Sequence, residues 1–328
     1  MRIRVLPGLA AALSLLLVAG CGSATSQTRP TSSAPAAKGF PYTVHNCGVT
    51  TTYQRPPTRS VTLNQHATEI MLALGLQKSM VGTAYRDDTV LPQYRAAYDG
   101  IKVLAKRYPD EETLLSAEPD FVYGGFASAF DQSQGRGRPT LGKAGIDTYL
   151  NIENCPGGPV TQETDDREIR TIGRIFGVPD RAEKLIASQH RTLDGVASRL
   201  AGTQPVRTFV YDSGEQTAFT AGGAGIGNDM VKRAGGGNVF ADLKKTFGNV
   251  SFEQVAQRAP EVIVLYDYGD TPVSAKKDFL LSQPALKDVP AIRHQRFAVL
   301  PLSSTVLGVR VPAAVETLAR QLHPDSFR

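Results

Sequence analysis

The sequence predicts an α/β protein made of two related lobes that a long helix connects. Short apolar runs alternate with segments of helical periodicity, which is typical of parallel sheets covered by helices. A short helix, a proline, an acid and an apolar strand follow one another once in each half, in EETLLSAEPDFVYGG and in FEQVAQRAPEVIVLYD. Glu112 and Glu253 occupy matching places near the start of these two helices. Corresponding elements in the two halves indicate a bilobal protein that closes around a ligand.

The N-terminus has the pattern of a signal peptide. Arg2 and Arg4 precede an apolar stretch that runs from Leu9 to Val18. This stretch is too short to span a bilayer with its flanks. We therefore expect residues 1–20 to be removed on export.

Cys21 directly follows small residues and so resembles the cysteine of a bacterial lipobox. It is expected to carry a lipid that holds the protein at the outer face of the cytoplasmic membrane. The alternative is an ordinary secretory signal with an incidental cysteine. With a lipid on Cys21, residues 21–46 are expected to form a lipid-anchored flexible tether and an N-terminal extension. Residues 22–39 are small, polar and proline-containing, which favours a flexible chain.

The charge of the chain gives no sign of a nucleic-acid partner. The 36 basic and 31 acidic residues give a net charge of +5, which falls to +3 when Arg2 and Arg4 leave with the signal peptide. Lys and Arg are interspersed with acids, and export also argues against nucleic-acid binding. The residues after the tether are enough for two lobes with cores of their own.

Two cysteines remain once Cys21 is assigned to the lipid. Cys47 and Cys155 lie in polar segments marked by glycine and proline. Outside the cytoplasm they are expected to form a disulfide that ties the N-terminal extension to the first lobe, the alternative being two free thiols. A metal site is disfavoured because His45 and His66 lack ligand-type spacing to either cysteine.

The first lobe is predicted to cover residues 59–178. Its strands are expected at Ser60–Leu63, Met80–Ala84, Phe121–Tyr123 and Thr148–Ile152, with a helix at Thr68–Leu74. Strands that alternate with helices indicate a parallel sheet.

A long helix is predicted between the lobes, at residues 179–201. It starts at Pro179, a favourable residue in a first turn, and its apolar positions fall on one face: Ala182, Leu185, Ile186, Leu193, Val196, Ala197 and Leu200. Such a helix can brace two lobes, although an ordinary surface helix would show the same pattern.

The second lobe, residues 205–328, repeats the plan of the first. Its strands are expected at Arg207–Tyr211, Val262–Tyr266 and Phe297–Leu300, and its helices at Asp229–Ala234 and Pro312–Leu322. Polar loops follow the strands in both lobes. Because ligands of α/β sheets bind at the carboxyl ends of the strands, these loops predict a ligand cleft.

The order of these elements resembles the solute-binding proteins of iron-siderophore and cobalamin ABC importers, the helical-backbone family. The resemblance runs from about Arg59 to Pro324 and is carried by SVTLNQHATEIMLALGL, EETLLSAEPDFVYGG, FTAGGAGIGNDMVKRAGGGNVFAD and FEQVAQRAPEVIVLYDYG. It implies two Rossmann-like lobes joined by a rigid helix, with a metal-chelate or corrinoid solute in the cleft.

The resemblance also implies that Glu112 and Glu253 dock onto arginines of the membrane permease, whose ATPase subunits lie elsewhere. One charge on each lobe could report both lobe positions through charge-assisted pairs. The alternative is that each glutamate only serves the helix, since an acid in the first turn is favoured by the helix dipole.

Large solutes are commonly held by aromatic rings and arginines, and the predicted loops contain both. The candidate ligand-binding residues are Tyr85, Arg86, Tyr108, Phe126, Phe130, Arg136 and Arg138 in the first lobe and Tyr211, Phe219, Tyr268 and Arg310 in the second. For each of them, packing inside a lobe or exposure on the surface is the alternative. No cofactor and no direct metal ligation are expected, since a chelated ion brings its own donors. The protein is expected to be a monomer.

Some segments, NCGV and YDSGEQTAFTAGG among them, also resemble actinobacterial proteins proposed to import a phosphate-bearing deazaflavin cofactor precursor. We keep iron complexes and corrinoids as the main expectation, with that precursor as the alternative.

An enzyme is disfavoured because the chain has no G-x-S-x-G, no H-E-x-x-H and no P-loop. Ser274 and Lys277 satisfy S-x-x-K without its companion motifs, and Asn228 stands where a dinucleotide fingerprint needs its third glycine. Capture and delivery without catalysis is therefore expected, against the alternatives of an exported hydrolase or a surface adhesion protein.

Overall fold

Two separate parallel sheets form the centres of the two lobes. The computed structural model describes residues 37–155 and 157–328, and residues 36–328 form one unit. The predicted signal peptide, the lipidation site at Cys21 and most of the tether lie outside the described residues.

An antiparallel hairpin precedes the first sheet. Its strands are β1 (Tyr42–Asn46) and β2 (Val49–Tyr53). Strand β1 therefore lies within residues 21–46, which we predicted to form the tether and N-terminal extension.

The sheet of the first lobe has five parallel strands in the order β5-β4-β3-β6-β7. They are β3 (Ser60–Leu63), β4 (Met80–Ala84), β5 (Val103–Ala105), β6 (Phe121–Gly124) and β7 (Asp147–Leu150). The helices around this sheet are α1 (Gln65–Ala73), α2 (Arg95–Asp99), α3 (Glu111–Ser116), α4 (Arg138–Lys143) and α5 (Gln162–Ile175).

A single helix, α6 (Pro179–Arg199), links the two lobes. Its 21 residues extend about 31 Å at the standard helical rise. Ala182 and Ile186 pack into the core of the first lobe, whereas Leu193 and Val196 pack into a core of the second. The predicted bracing helix is thus part of both cores, although Ala197, which we placed on its apolar face, is exposed.

The second lobe has a parallel sheet of four strands in the order β10-β8-β12-β13 and a separate antiparallel pair, β9 with β11. The strands are β8 (Val206–Tyr211), β9 (Ala218–Ala221), β10 (Gly236–Asn238), β11 (Phe247–Val250), β12 (Val262–Asp267) and β13 (Phe297–Pro301). The helices are α7 (Ile226–Arg233), α8 (Phe252–Arg258), α9 (Val273–Ser282), α10 (Pro290–Arg293) and α11 (Val311–Leu322).

The α/β prediction with two sheets is confirmed, and the repeated segment has the same structure in both lobes. In each copy the residue before the proline has a positive φ, 47° at Glu118 and 43° at Ala259. An arginine at the start of the neighbouring strand segment donates to the carbonyl of this residue: Arg59 to Glu118 O at 2.7 Å, and Arg207 to Ala259 O.

The acid after each proline completes this arrangement. Asp120 accepts a hydrogen bond from the backbone N–H of Arg59 at 2.9 Å, and Glu261 accepts one from the N–H of Arg207 at 2.9 Å. Arginine and acid therefore fix the turn between helix and strand in the same way twice. The left-handed residue makes the reversal, and the proline prevents the helix from continuing.

Buried acids connect α5 to its surroundings. Glu168 accepts hydrogen bonds from the hydroxyls of Tyr123 and Tyr149, the second at 2.7 Å. Asp165 is fully buried beside Glu168, and Gln189 of α6 donates to its Oδ2 at 3.3 Å. Burial, together with the neighbouring Glu168 and Asp166, raises the pKa of Asp165 from its usual 3.8 to about 8.

This pKa shift predicts that the protein loses stability as the pH rises. Because the folded state holds the Asp165 proton that the unfolded chain releases above pH 3.8, its contribution is complete at acidic pH and disappears as the pH approaches 8. We expect the free energy of unfolding to fall between pH 5 and pH 8, and the fall to be smaller in Asp165→Asn, which mimics the protonated acid. Urea unfolding followed by circular dichroism would measure it.

The exposed acid Asp194 of α6 provides the control, since Asp194→Asn should leave the pH dependence as it is in the wild type. Equal slopes in the wild type and in Asp165→Asn would contradict the assignment.

Candidate binding cleft

A cavity of about 610 Å³ lies where loops of both lobes leave the carboxyl ends of the strands. Phe126 follows β6, Asp212 follows β8, and Tyr268 follows β12. The full lining is Phe126, Glu153, Asn154, Cys155, Asp212, Phe219, Thr246, Phe247, Tyr268, Leu302, Thr305 and Val306. The position matches the cleft that the sequence predicts.

Aromatic rings form much of the cavity wall. Phe219 of β9 and Phe247 of β11 are stacked, with ring centroids 5.3 Å apart and planes inclined by 20°. Phe126 packs edge-on against His66 at 4.7 Å, and burial lowers the pKa of His66 to about 4, so that this ring is neutral. Tyr268 is 37% exposed, and the Lys276 ammonium lies 4.5 Å from the centroid of its ring. Such rings suit a wide apolar or conjugated solute.

Two acids lie in the same wall. Asp212 is 4% exposed, and its Oδ1 accepts hydrogen bonds from Ser213 Oγ at 2.8 Å and from the hydroxyl of Tyr268. Burial and the hydrogen bond to Asp212 raise the pKa of Tyr268 to about 12, so that its hydroxyl stays protonated and donates. Glu153 accepts from Leu307 N at 2.8 Å, and burial raises its pKa to about 7.

The loop of the first lobe that carries Glu153 is held from several sides. Asn154 donates to Gly125 O at 2.9 Å and accepts from Ala127 N at 3.2 Å. Cys155 forms a disulfide with Cys47 in the structure, which links the loop to the turn between β1 and β2. The predicted pairing of these cysteines is the one the structure adopts.

The glycines before α7 allow the chain to turn tightly beside the cavity. A Cβ at Gly222 or Gly223 would run into the backbone carbonyls of Lys245 or Ala241, which lie opposite.

Of the eleven predicted ligand-binding residues, the structure brings three to the cavity: Phe126, Phe219 and Tyr268. Tyr85 and Tyr108 lie together in the first lobe, with ring centroids 4.6 Å apart, and the Tyr108 hydroxyl bonds to Asn64 and Ser128. Neither lines the cavity. Arg86 is exposed, with its guanidinium over the ring of Tyr98.

Four more of these residues are packed within a lobe. Arg136 donates to Pro109 O at 2.9 Å, and Arg138 donates to Asn46 O at 2.9 Å and to Thr148. Phe130 lies beside the Arg138 guanidinium, and Tyr211 is buried with its hydroxyl donating to Gly214 O. None of the four lines the cavity, and the polar groups of Arg136, Arg138 and Tyr211 donate to backbone carbonyls within the protein.

Arg310 joins the two lobes. Its guanidinium donates twice to the carboxylate of Glu69, with both N···O distances 2.6 Å, and to Thr89 O at 2.7 Å. Glu69 belongs to α1 of the first lobe, and Arg310 precedes α11 of the second. Since the two side chains are 1% and 8% exposed, the arginine that we predicted to meet the solute is a buried partner of an acid.

The acids and hydroxyls of the cavity wall were not predicted, because only aromatic residues and arginines in the loops were taken as candidates. Asp212 directly follows the predicted strand Arg207–Tyr211, so its position alone could have identified it. Thr305 and Val306 had no such signal, since they follow the short turn after β13. In the part of the chain that the structure describes, no three His, Cys, Asp or Glu residues are arranged to hold a metal ion.

Glu112 and Glu253 occupy the same place, the second residue of α3 and of α8, and both are exposed. The helix caps are other residues: Asp110 accepts from Thr113 N at 2.7 Å, and Ser251 accepts from Gln254 N at 3.2 Å. Neither glutamate is in a salt bridge with another described residue. Neither glutamate is thus the cap residue of its helix, although the N–H of Glu253 and the hydroxyl of Ser251 face the Glu253 carboxylate and lower its pKa.

Known proteins agree with this arrangement. The sequence model of the periplasmic binding protein family matches residues 61–303. The chain belongs to this family. Its resemblance to solute-binding proteins, which we saw first in the sequence motifs, is thereby confirmed. None of the helices in residues 37–155 and 157–328 is long and apolar enough to cross a membrane.

Among relatives, the chain is 24% identical over 321 residues to an uncharacterized ABC transporter substrate-binding lipoprotein, YvrC of Bacillus subtilis (strain 168), with 96% of each protein covered. It is 26% identical over 215 residues to the vitamin B12-binding protein of Yersinia pestis (strain Pestoides F), which covers 63% of this chain and 69% of the relative.

Two solved structures have the same fold. A periplasmic binding protein of Veillonella parvula is 29% identical, with a TM-score of 0.79, and covers 86% of this chain and 97% of its own. A protein of an ABC-type Fe³⁺-hydroxamate transport system from Saccharomonospora viridis is 26% identical, with a TM-score of 0.73, and covers 87% and 99%.

The Glu69–Arg310 pair predicts a large loss of stability when one partner is neutralised. Glu69→Gln would leave the buried Arg310 charge with only the more distant Asp88, at 3.8 Å, so the free energy of unfolding should fall by about 3–5 kcal/mol. The exposed pair of Arg320 and Glu316 provides a matched control, and Glu316→Gln should cost less than about 1 kcal/mol. Denaturant unfolding of both variants would test it. An equal loss of unfolding free energy in Glu69→Gln and Glu316→Gln would show that the interlobe pair stabilises the protein no more than a surface pair.

Proposed function

We propose that this protein is an extracytoplasmic solute-binding protein, which captures a metal-chelate or corrinoid-type solute and delivers it to an ABC importer permease. The observation that carries the proposal is the cavity at the strand ends of both lobes, whose wall contains a stacked pair of aromatic rings and a partly exposed tyrosine. Membership of the periplasmic binding protein family supports a role in solute binding.

The nature of the wall supports a bulky solute with apolar faces. A volume of about 610 Å³ is within the ordinary range of ligand sites, and the cavity opens to solvent, so a larger molecule can extend beyond it. The names of two relatives point to the same kind of cargo, because one binds vitamin B12 and the other belongs to an Fe³⁺-hydroxamate transport system.

Capture on this proposal involves no catalysis. The solute is bound, the loaded lobes meet the permease, and the ATPase subunits of the importer provide the energy. Helix α6 belongs to the cores of both lobes, which favours a small closure over a wide hinge motion. The protein acts as a monomer, since one chain contains both walls of the cleft.

Neither alternative is favoured by a specific observation. A phosphate-bearing deazaflavin precursor would need a cation in the wall, and no described residue of the lining is basic. An exported hydrolase would need a nucleophile beside a base, and the lining hydroxyls of Thr246 and Thr305 have no histidine next to them in the described lining.

The cellular setting belongs to the same proposal. A signal peptide, residues 1–20, would direct export, and a lipid on Cys21 would hold the protein at the membrane near its permease. The Cys47–Cys155 disulfide, present in the structure, suits an oxidising extracytoplasmic compartment.

The first prediction from this function concerns the solute. We expect saturable binding of cyanocobalamin or of a ferric hydroxamate to the protein without its signal peptide, measured by isothermal titration calorimetry. Phe219→Ala should weaken binding by about tenfold, because it removes one ring of the stacked pair in the wall. Phe327→Ala, a change far from the cavity lining, should leave the affinity unchanged. The proposal fails if no member of either solute class binds.

The second prediction concerns docking, which we assign to Glu112 and Glu253. Reversing both charges, in Glu112→Arg with Glu253→Arg, should abolish uptake of the solute by cells while the purified protein still binds it. The reason is that two carboxylates can pair with permease arginines, whereas two guanidinium groups repel them.

A control for docking reverses two exposed acids elsewhere, in Asp194→Arg with Asp278→Arg, and should preserve uptake. Normal uptake by the Glu112 and Glu253 variant would remove both residues from the docking surface.

A further inference from the structure

The charges in the cavity wall differ from those that the sequence led us to expect. Two of the lining side chains, Glu153 and Asp212, are acidic, and none of the described lining residues is basic. The rest of the lining is aromatic, aliphatic or neutral and polar. An acid in such surroundings has a stronger effect than one on an open surface, because the local dielectric is low.

Asp212 is the acid best placed to act on a solute. Asp212 is only 4% exposed to solvent, and it still lines the cavity. Its Oδ1 is occupied by Ser213 and Tyr268, while no hydrogen bond within residues 37–155 and 157–328 engages its Oδ2. A buried carboxylate with one oxygen available gains by meeting a donor.

Glu153 also lines the cavity, on the loop that follows β7 in the first lobe. Leu307 N of the second lobe uses one of its oxygens, at 2.8 Å. The same region of the wall therefore offers a second carboxyl group, fixed in place by a backbone amide. The Ile226 N–H also faces this carboxyl group, and burial raises its pKa to about 7, so Asp212 is the stronger acceptor for a donor on the solute.

The basic groups nearby are held by partners within the protein. Lys276 lies beside Tyr268, with its ammonium 4.5 Å from the ring centroid, and it donates to Asp212 O at 2.7 Å and to Tyr266 O at 2.5 Å. This ammonium also attracts the Asp212 carboxylate. Arg310 is held by Glu69, and Arg136 by Pro109 O. An anionic solute would have to break one of these buried arrangements to find a cation.

From this arrangement we propose that the cleft selects solutes that present hydrogen-bond donors or positive charge to Asp212 and Glu153, and rejects those that present phosphate or carboxylate there. Asp212 is the specificity-determining residue. The inference rests on the proposed function and narrows its solute class to neutral or cationic chelates and corrinoids with amide or amine groups at the edge. The physical reason is that like charges brought together in a desolvated cleft repel strongly.

The test compares solutes that share a core and differ in charge. Ferrioxamine B carries a free ammonium group, its N-acetyl derivative is neutral, and its N-succinyl derivative carries a carboxylate, all on one ferric trihydroxamate core. Cyanocobalamin and its monocarboxylic acid form a second series, on a corrinoid core. Affinities are measured by isothermal titration calorimetry at one ionic strength with the protein that lacks only its signal peptide.

We expect the wild-type protein to bind the anionic member of a series at least about tenfold more weakly than the neutral or cationic member, given the cost of like charges in contact. Asp212→Asn keeps an acceptor for Tyr268 and Ser213 but removes the charge, so it should reduce the discrimination to about threefold or less. Asp194→Asn, on the exposed face of α6, should discriminate as the wild type does.

The outcomes separate the two proposals. Equal or tighter binding of the anionic members by the wild type overturns the charge selection while leaving capture intact, and so does unchanged discrimination in a folded Asp212→Asn. If no member of either series binds, the proposed solute class is wrong and this inference falls with it.

Discussion

The structure depends on one constraint, which is that helix α6 belongs to two hydrophobic cores. Ala182 and Ile186 are buried with the first lobe, and Leu193 and Val196 with the second. Neither lobe can rotate far without exposing one end of this helix. The buried pair of Glu69 and Arg310 fixes the same relation at a different point. The carboxyl edges of the two sheets therefore face each other, and the loops that leave them form one cavity.

The repeated segment shows how each lobe supports its part of the cleft. A short helix ends at a left-handed residue and a proline. An arginine at the start of the neighbouring strand segment donates a hydrogen bond to the carbonyl of the left-handed residue. The acid after the proline binds the backbone of the same arginine. Since these contacts involve backbone and charged groups at both ends of the turn, the strand that follows starts from a fixed point. Both copies thus use one local solution to aim a buried strand at the cavity.

Much of this fold could be predicted from the sequence, because its strands are short apolar runs with clear boundaries. Strands Ser60–Leu63 and Met80–Ala84 are found with the predicted bounds. The hairpin of β1 and β2 was missed because its sequence is rich in threonine and has no apolar run. Helix α5 was missed because it buries Asp165, Asp166 and Glu168, which a search for apolar periodicity treats as a solvent-facing side.

The site was harder to predict than the fold, and the arginines show why. A sequence gives their position near strand ends, but it does not give their partners. Arg310 pairs with Glu69 from the other lobe, and Arg138 donates to a backbone carbonyl of the N-terminal hairpin. These partners are far away in the chain, so no local pattern reveals them. Aromatic residues were only partly easier. Tyr268 directly follows β12 and lines the cavity, whereas Tyr85 directly follows β4 and packs against Tyr108 instead.

The two exposed glutamates and the two cavity rings are joined by matching routes. From Glu112 the chain passes through α3 and β6 to Phe126, and from Glu253 it passes through α8 and β12 to Tyr268. Each route consists of one short helix and one buried strand, with a fixed turn between them. Because helix α6 limits rotation of the lobes, any small shift of a lobe on binding would move its ring and its carboxylate together. On the docking that we propose, the spacing of the two carboxylates would then report the state of the cleft.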